Sequence, residues 1–343
     1  MRAVVIHAPK DLRLDTIPDR KPGPDEVLVR IGMGGICGSD LHYYHHGGFG
    51  TVRIREPMTL GHEVSGTIAA VGSAVTDLRA GQRVAVNPSR PCMVCKYCEG
   101  GLHNQCLDMR FFGSAMRFPH VQGAFSEHVT VLARQAVPVP ETLSLAEAAM
   151  AEPLSVCLHA ARQAGSLFGK RVLVTGCGPI GALMVLVARS AGAAEIVATD
   201  IAVRPLEIAM KVGATRAINP VADPDALKPY AADKGAFDVH FEASGTEAAL
   251  RTGLEHVRPQ GVIVQIGVGG EARIPMNVLV AKEISLRGTF RFDAEFDLAV
   301  KMMGSGLVDV RPVISDTIPV AEAHAAFDLA GDRNRAMKVQ IAF

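Results

Sequence analysis

Over the first 150 residues the apolar positions fall into short runs broken by Gly and Pro: AVVIHA, EVLVRIGMGG, GHEVSGTIAAVG, QRVAV and EHVTVL. Runs of this length, rich in Val, Ile and Thr and punctuated in this way, predict strands of an antiparallel, barrel-like domain. From about Ser144 the texture changes. SLAEAAMAEPLSVCLHAARQAG has helical spacing, with Ser144 as N-cap and Glu147 completing a capping box. Strands and helices then alternate: KRVLVTG, a helix through Gly192, EIVATD, a helix over RPLEIAMKVG, AFDVHFEAS, a helix over EAALRTGLEHV, and GVIVQIG. Near-continuous apolar strands separated by helices are what a parallel sheet covered on both faces requires. ISLRGTFRF offers a further strand, AEFDLAVKMM a helix, and the ending MKVQIAF returns to a β pattern. The expected class is α/β. A β-barrel-type domain spans 1–150, a doubly wound parallel-sheet domain spans 151–290, and the segment 291–343 returns to the first domain.

Composition narrows this picture. A chain of 343 residues is too long for one small domain, and 48% hydrophobic content with no Trp suits an aliphatic interior. Thirty-five basic residues balance thirty-five acidic ones, so nothing electrostatic draws the chain to nucleic acid or an anionic membrane. The N-terminal MRAVVIHAPKDLRL breaks its apolar run at His7 and Lys10, which excludes a signal-peptide core. Arg189 interrupts IGALMVLVA, the nearest approach to a membrane span. The expectation is a soluble, cytoplasmic protein. Seven cysteines, an odd number, then argue for metal or free thiols rather than disulfides.

Two motifs carry chemistry by their spacing. VLVTGCGPIGALMVL sets Gly176, Gly178 and Gly181 in G-x-G-x-x-G, with Pro179 and Ile180 between them, after an apolar strand and opening an apolar helix. The glycines serve a tight turn, close approach to a pyrophosphate, and packing of helix on strand. Asp200 ends the next strand, where a carboxylate accepts hydrogen bonds from the adenosine ribose and repels a 2′-phosphate. NAD is expected, with NADP admitted because Arg204 lies close by. The second motif is CMVCKYCEGGLHNQC. Cys92, Cys95, Cys98 and Cys106 supply four thiolates, which fill tetrahedral Zn²⁺ and leave no open position. Such a site is structural, and it defines a lobe over 88–110. The C-x3-C-P ending of an iron–sulfur pattern is absent. A zinc-ribbon nucleic-acid-binding protein is the rival reading from another class, and the lack of a basic stretch beside the cluster argues against it.

A dispersed set remains: Cys37 in GGICGSDLHYY, His62 and Glu63 in LGHEVSG, and Glu152 in MAEPLSV. Thiolate, imidazole and carboxylate together can hold Zn²⁺ with one position open, where it acts as a Lewis acid on an alcohol. Taken singly each residue has a plain reading: a small buried cysteine, a core histidine, a helix-surface charge. Spacing does not join them; resemblance does. GGICGSDLHYY, GHEVSG, the four-cysteine lobe, AEPLSV, GCGPIG and GTFRF resemble the zinc-dependent medium-chain dehydrogenase family, in its sorbitol/polyol branch, over the whole chain. NPSRPCMVCKYC, NQCLDMRFFGSAMRFPHV and LRGTFRF resemble members of that branch that oxidise a sugar acid.

The resemblance implies a GroES-like catalytic domain, a Rossmann domain, two zinc ions per subunit, and a homotetramer or homodimer. It implies that Cys37, His62 and one of Glu63 or Glu152 bind the catalytic zinc, while Ser39 starts a proton path with His42 near its solvent end. Tyr43 and Arg291 match polyol-contacting positions. Ile180, Asp200, Arg204, the turn Ile266, Gly267 and Val268, and the segment Thr289, Phe290 and Arg291 match positions lining NAD. Phe292 stands where branch members carry tyrosine. The implied reaction is reversible oxidation of L-idonate at C5, with neutral polyols such as sorbitol, xylitol or galactitol as alternative substrates. An acid sugar calls for an arginine on its carboxylate. Arg110, Arg117 and Arg291 are the candidates, with His45, His46 or His120 assisting.

Overall fold

A computed structural model describes residues 1–343. The first half builds a mostly antiparallel sheet of seven strands in the order Ala136–Pro138, Arg83–Val86, Glu63–Val71, Glu26–Gly35, Lys338–Ala342, Ile314–Pro319, with His128–Leu132 also paired to Glu26–Gly35. Alternation within Glu26–Gly35 puts Val27, Val29 and Ile31 in the core, as a half-buried strand requires. The strand Arg2–Ala8 forms a separate three-stranded sheet with Asp11–Thr16 and Met58–Thr59. C-terminal residues complete this half: Gln340, Ile341 and Ala342 pair with Gly35, Gly34 and Met33, and Phe327, Val339 and Ile341 lie in the same core as Val4, Val29 and Phe125.

The middle of the chain forms a six-stranded sheet, parallel throughout, in the order Arg216–Ile218, Glu195–Thr199, Arg171–Thr175, Phe237–Glu242, Val257–Gln265, Ser285–Gly288. Numbered along the chain this is 3-2-1-4-5-6, the doubly wound order whose switch point lies beyond the carboxyl ends of Arg171–Thr175 and Phe237–Glu242. Leu173, Val197, Phe237 and Ile263 are wholly buried, which explains why these strands read as unbroken apolar runs.

Two boundaries differ from expectation. The helical stretch after Ser144 is two helices, Leu145–Ala149 and Ala151–Ala164, hinged at Met150. Pro153 has no N–H to give and is tolerated only in a first turn, so a new helix starts just before it and carries Glu152 at its head. The Ser144–Glu147 capping box does form, with Glu147 N–H donating to the Ser144 hydroxyl at 3.2 Å. The return to the first sheet also comes later than position 291. Helix Glu295–Gly304 buries Phe296, Val300 and Met303 with the helices of the parallel-sheet half, and the first sheet regains the chain only at Ile314–Pro319.

Candidate active site

Cys37 caps the helix Gly38–His46, and the Asp40 carboxylate takes the Cys37 N–H at 3.0 Å. The other Asp40 oxygen accepts from Gly61 N–H at 3.2 Å, so one buried carboxylate ties the head of this helix to the turn that presents His62 and Glu63. The ligand atoms of Cys37, His62 and Glu63 lie within 4.8 Å of one another. His62 Nδ1 is buried without a hydrogen-bond partner, 3.8 Å from Asp40 Oδ1. A histidine bound to metal through one ring nitrogen ordinarily donates the other to such a carboxylate. Glu152 is buried at the head of its helix and accepts no hydrogen bond from the protein.

Too many anions share this space. Burial and the Glu63 carboxylate push the Cys37 thiol up to about 11. Burial also pushes Glu152 up to about 8, with His62 opposing and Glu63 and Cys37 reinforcing the rise. The opposing charge is Lys338, itself buried, whose Nζ lies 2.7 and 2.8 Å from the two Glu63 oxygens and 3.0 Å from Ile36 O. Sequence reading missed both Asp40 and Lys338. A lysine inside the apolar ending MKVQIAF was the available signal, because a lysine is almost never buried unless paired. One ammonium does not balance a thiolate and two carboxylates, and a divalent cation would. The donor set therefore fits zinc with a position to spare.

The four-cysteine lobe is organised differently. The sulfurs of Cys92, Cys95, Cys98 and Cys106 converge within 4.8 Å, and no disulfide forms. Cys95 caps the single-turn helix Lys96–Glu99, and Cys106 Sγ accepts from Cys92 N–H at 3.1 Å and Asp108 N–H at 3.3 Å. Backbone N–H groups of Cys98 and Leu107 lower the Cys95 thiol to about 6, whereas burial and the neighbouring thiols push Cys98 up to about 12. Four sulfurs and no other ligand would leave no vacancy on a tetrahedral ion, so the set fits zinc as a clip.

The glycine-rich turn faces the switch point. Helix Pro179–Ser190 starts immediately after Gly178, with Pro179 at its first position. A Cβ on Gly178 would meet no protein atom within 4 Å, whereas one on Gly181 would stand 1.8 Å from Gly176 O. The first glycine thus keeps space open for a ligand, and the second lets helix pack on strand. Asp200 accepts from Cys177 N–H at 2.7 Å and Ala202 N–H at 2.9 Å, fastening the turn from its strand end. Arg204 Nε is buried with no partner. Across the switch point Glu242, also missed, accepts from Ser244 N–H at 2.7 Å and Gly245 N–H at 3.0 Å, while its backbone carbonyl takes the N–H groups of Ile266 and Gly267 at 2.8 Å. It fixes the turn that bears Val268. Thr289 Oγ1 is likewise buried without a partner. Ile180 packs against the core instead of lying free, and its carbonyl accepts from Cys157 Sγ at 3.4 Å.

Beside the four-cysteine lobe lies a pocket of about 420 Å³, bounded by Asn104, Cys106, Arg117 and Arg291. Phe111 lines it, with its ring centroid 5.6 Å from that of His62. Arg291 lies over Phe111 at 3.9 Å and over Phe290 at 4.9 Å, in a left-handed backbone conformation (φ 53°). Its only hydrogen-bond partner is Met116 Sδ at 3.3 Å. Burial holds its guanidinium down to about 10, with Glu152 and Tyr43 acting the other way. Ser39 is half-buried and His42 exposed on the same helix.

The other candidates for a carboxylate are elsewhere or occupied. Arg110 is exposed and does not line the pocket, because strand alternation turns it away from the face that Phe111 presents. Arg117 pairs with Asp108 at 2.6 Å and donates to Met109 O and Leu107 O. His120 bridges Arg55 N–H and Arg117 O, and His45 and His46 lie on the helix away from the pocket lining. Tyr43 is buried and its hydroxyl accepts from Ala115 N–H at 3.0 Å, which ties the ring to the segment beside the pocket and leaves its O–H to donate. Phe292 is buried against Phe296 in the core.

Residues 23–141 match the alcohol dehydrogenase GroES-like domain, and residues 179–305 match the zinc-binding dehydrogenase family. The chain is 48% identical over 318 residues to L-idonate 5-dehydrogenase (NAD(P)(+)) of Escherichia coli (strain K12), covering 92% of each. The chain belongs to the zinc-binding alcohol dehydrogenases. This dehydrogenase is also 36% identical to sorbitol dehydrogenase of Bacillus subtilis, over 99% of this chain and 97% of that one. Among solved structures it resembles the Escherichia coli L-idonate 5-dehydrogenase with TM-score 0.94 and 46% identity, over 100% and 98% of the two chains. It resembles a zinc-binding dehydrogenase of Sinorhizobium meliloti 1021 bound to NADP with TM-score 0.90 and 30% identity, over 100% and 99%. The dehydrogenase therefore has the GroES-like and Rossmann architecture, with zinc and NAD(P) as its cofactors. No helix in it is long and apolar enough to cross a membrane.

Proposed function

We propose that this dehydrogenase interconverts L-idonate and 5-keto-D-gluconate, working with NAD or NADP. What carries the choice of a sugar acid is likeness to the relative named for one, at 48% identity over 92% of each chain, and Arg291 is the side chain that suits it. Of the two guanidinium groups lining the pocket, Arg117 is committed to Asp108, and Arg291 has neither a carboxylate nor a carbonyl partner. A planar guanidinium in that state suits a substrate carboxylate, and the relative at 48% identity is named for such a substrate. The relative at 36% is named for a neutral polyol, which makes sorbitol the substrate class to test against.

Cys37, His62 and Glu63, with Glu152 beside them, are the residues that would hold the catalytic zinc, which supplies a Lewis acid able to lower the pKa of an alcohol. The nicotinamide supplies the hydride acceptor. Everything else falls to the chain itself. Asp40 stands behind the His62 ring, 3.8 Å from its Nδ1, Arg291 orients the substrate by its carboxylate end, and Phe111 walls the pocket with an apolar face. Ser39 Oγ accepts the hydroxyl proton as it gives up its own, and exposed His42, one turn along the same helix, takes that proton and passes one to solvent. The unpartnered Arg204 beside Asp200 fits tolerance of a 2′-phosphate. The mostly exposed edge strand Ser285–Gly288 of the parallel sheet also suits pairing in a homo-oligomer, a dimer or tetramer.

An NADH-absorbance screen over sugar acids and neutral polyols tests the reading, with zinc measured on the same sample. L-idonate should give the highest kcat/KM. A higher value for sorbitol or xylitol would replace it with the polyol reading.

A further inference from the structure

The longest gap within the four-cysteine lobe, between Cys98 and Cys106, is not spent on metal. It forms a short helical turn, His103–Gln105, and two of its side chains leave the lobe altogether. Asn104 is buried, and its Nδ2 donates to Phe290 O at 2.9 Å. His103 engages the Asp293 carboxylate twice, through its backbone N–H at 3.2 Å and its ring Nδ1 at 2.9 Å. The two anchor points lie on either side of Arg291. That residue has a positive φ, a conformation unfavourable for a side chain of its size, which persists only when its surroundings determine it. Asp293 N–H is held further by Glu295 Oε2 at 2.7 Å.

We propose that the four-cysteine lobe positions the substrate pocket: Asn104 and His103 clamp the two flanks of Arg291 and hold its guanidinium over Phe111. The proposal rests on the reading that Arg291 receives the substrate carboxylate. The clip then sets substrate affinity as well as stability. Asn104 also lines the pocket, but its Nδ2 is spent on Phe290 O, so it and His103 are positioning residues that act through one arginine.

Coupling to that arginine is the test. Steady-state oxidation of L-idonate would be measured on zinc-loaded, full-length enzyme carrying Arg291→Ala, Asn104→Ala, His103→Ala and the two doubles with Arg291→Ala, with zinc content checked for each. Arg291→Ala should raise the KM for L-idonate about tenfold or more. Asn104→Ala should raise it several-fold, with KM for NAD⁺ within about twofold and both zinc equivalents retained. In the Arg291→Ala background the Asn104 and His103 changes should add nothing, since a residue that acts through another has no further effect once that other is gone. Losses that add in the double variants, or single tether variants with unchanged KM, would overturn the proposal and leave the carboxylate reading standing. An unchanged KM in Arg291→Ala alone would overturn both. Should Asn104→Ala not fold, His103→Ala carries the same test from a half-exposed position.

Discussion

The two metal-ligating clusters solve opposite problems. In the lobe all four ligands are of one kind, lie within fifteen consecutive positions from 92 to 106, and sit on a loop whose only regular structure is two single turns. In the pocket the ligands are of three kinds, come from strand, turn and helix, and are joined by Asp40 and Lys338 from opposite ends of the chain. The lobe has little regular structure of its own, so a metal on its four sulfurs would hold it together. The other cluster is set in place by the strands and helices around it. A cluster of the first sort trades metal directly against folding free energy. A cluster of the second sort trades it against chemistry, because its ligands are held in place whether or not an ion is present.

The comparison breaks most sharply at cysteine. Cys37→Ser should lower turnover by about a thousandfold or more, with the melting temperature nearly unchanged and NAD⁺ binding retained. Cys95→Ser should do the reverse, lowering the melting temperature and soluble yield before it alters turnover per folded molecule. Calorimetry and single-turnover hydride transfer on both variants read the difference. Equal effects on both readouts would erase the distinction.

Next in size is the buried pair. Removing one partner of a buried ion pair costs about 3–5 kcal/mol, because the other charge is left uncompensated. Lys338→Met should therefore destabilise metal-free protein by about that much in urea denaturation. It should cost clearly less in zinc-loaded protein, where the cation takes over the balance of charge on Glu63. The same loss in both forms would mean that Lys338 serves the strand and not the site.

Legibility in the sequence follows the same division. The lobe could be read because its ligands are near neighbours in the chain, and the dinucleotide turn because strand, glycines and acid follow one another in fixed order. The parallel sheet was legible for the same reason: each unit is local, and only their lateral order needs three dimensions. The pocket was not. Cys37, His62 and Glu152 were joined by likeness to a family, and Lys338 was passed over because its partner Glu63 is distant in sequence and adjacent only when Lys338–Ala342 pairs beside Glu26–Gly35. Arg110 shows the converse error. It has suitable chemistry in a suitable stretch of sequence, yet strand alternation turns it away from the pocket.

Asp40 offers a finer comparison, since the lobe has no carboxylate behind its sulfurs. Loss of such a supporting partner typically costs about 10–100-fold in metal affinity. Asp40→Asn should weaken zinc retention in the pocket by that factor. Competition with a chromophoric chelator should show one equivalent released early and the lobe's equivalent unmoved. Simultaneous release of both would show that the two sites are not energetically separate.

The smallest effect concerns how the lobe is fastened to the body. Asn104 lies 3.5 Å from His159 Nε2, and His159 Nδ1 meets Glu295 Oε1 at 3.2 Å, where Arg162 also binds. Burial alone would raise the Glu295 carboxyl. Donation from His159, Asp293 N–H and Arg162 outweighs it and holds the group at about 2, below its ordinary 4.5. A carboxyl depressed on folding contributes stability that is fully present above the unfolded value and is lost as pH falls toward the folded one. Glu295→Gln keeps the shape and removes the charge, so it should be less stable than the parent at neutral pH, by about 1–2 kcal/mol. The gap should close between about pH 4.5 and pH 2, where the parent's advantage titrates away. Melting temperatures of the two proteins across that range check it. A gap that stays constant would place the contribution of Glu295 in its packing, and the lobe would then be held by shape and not by charge.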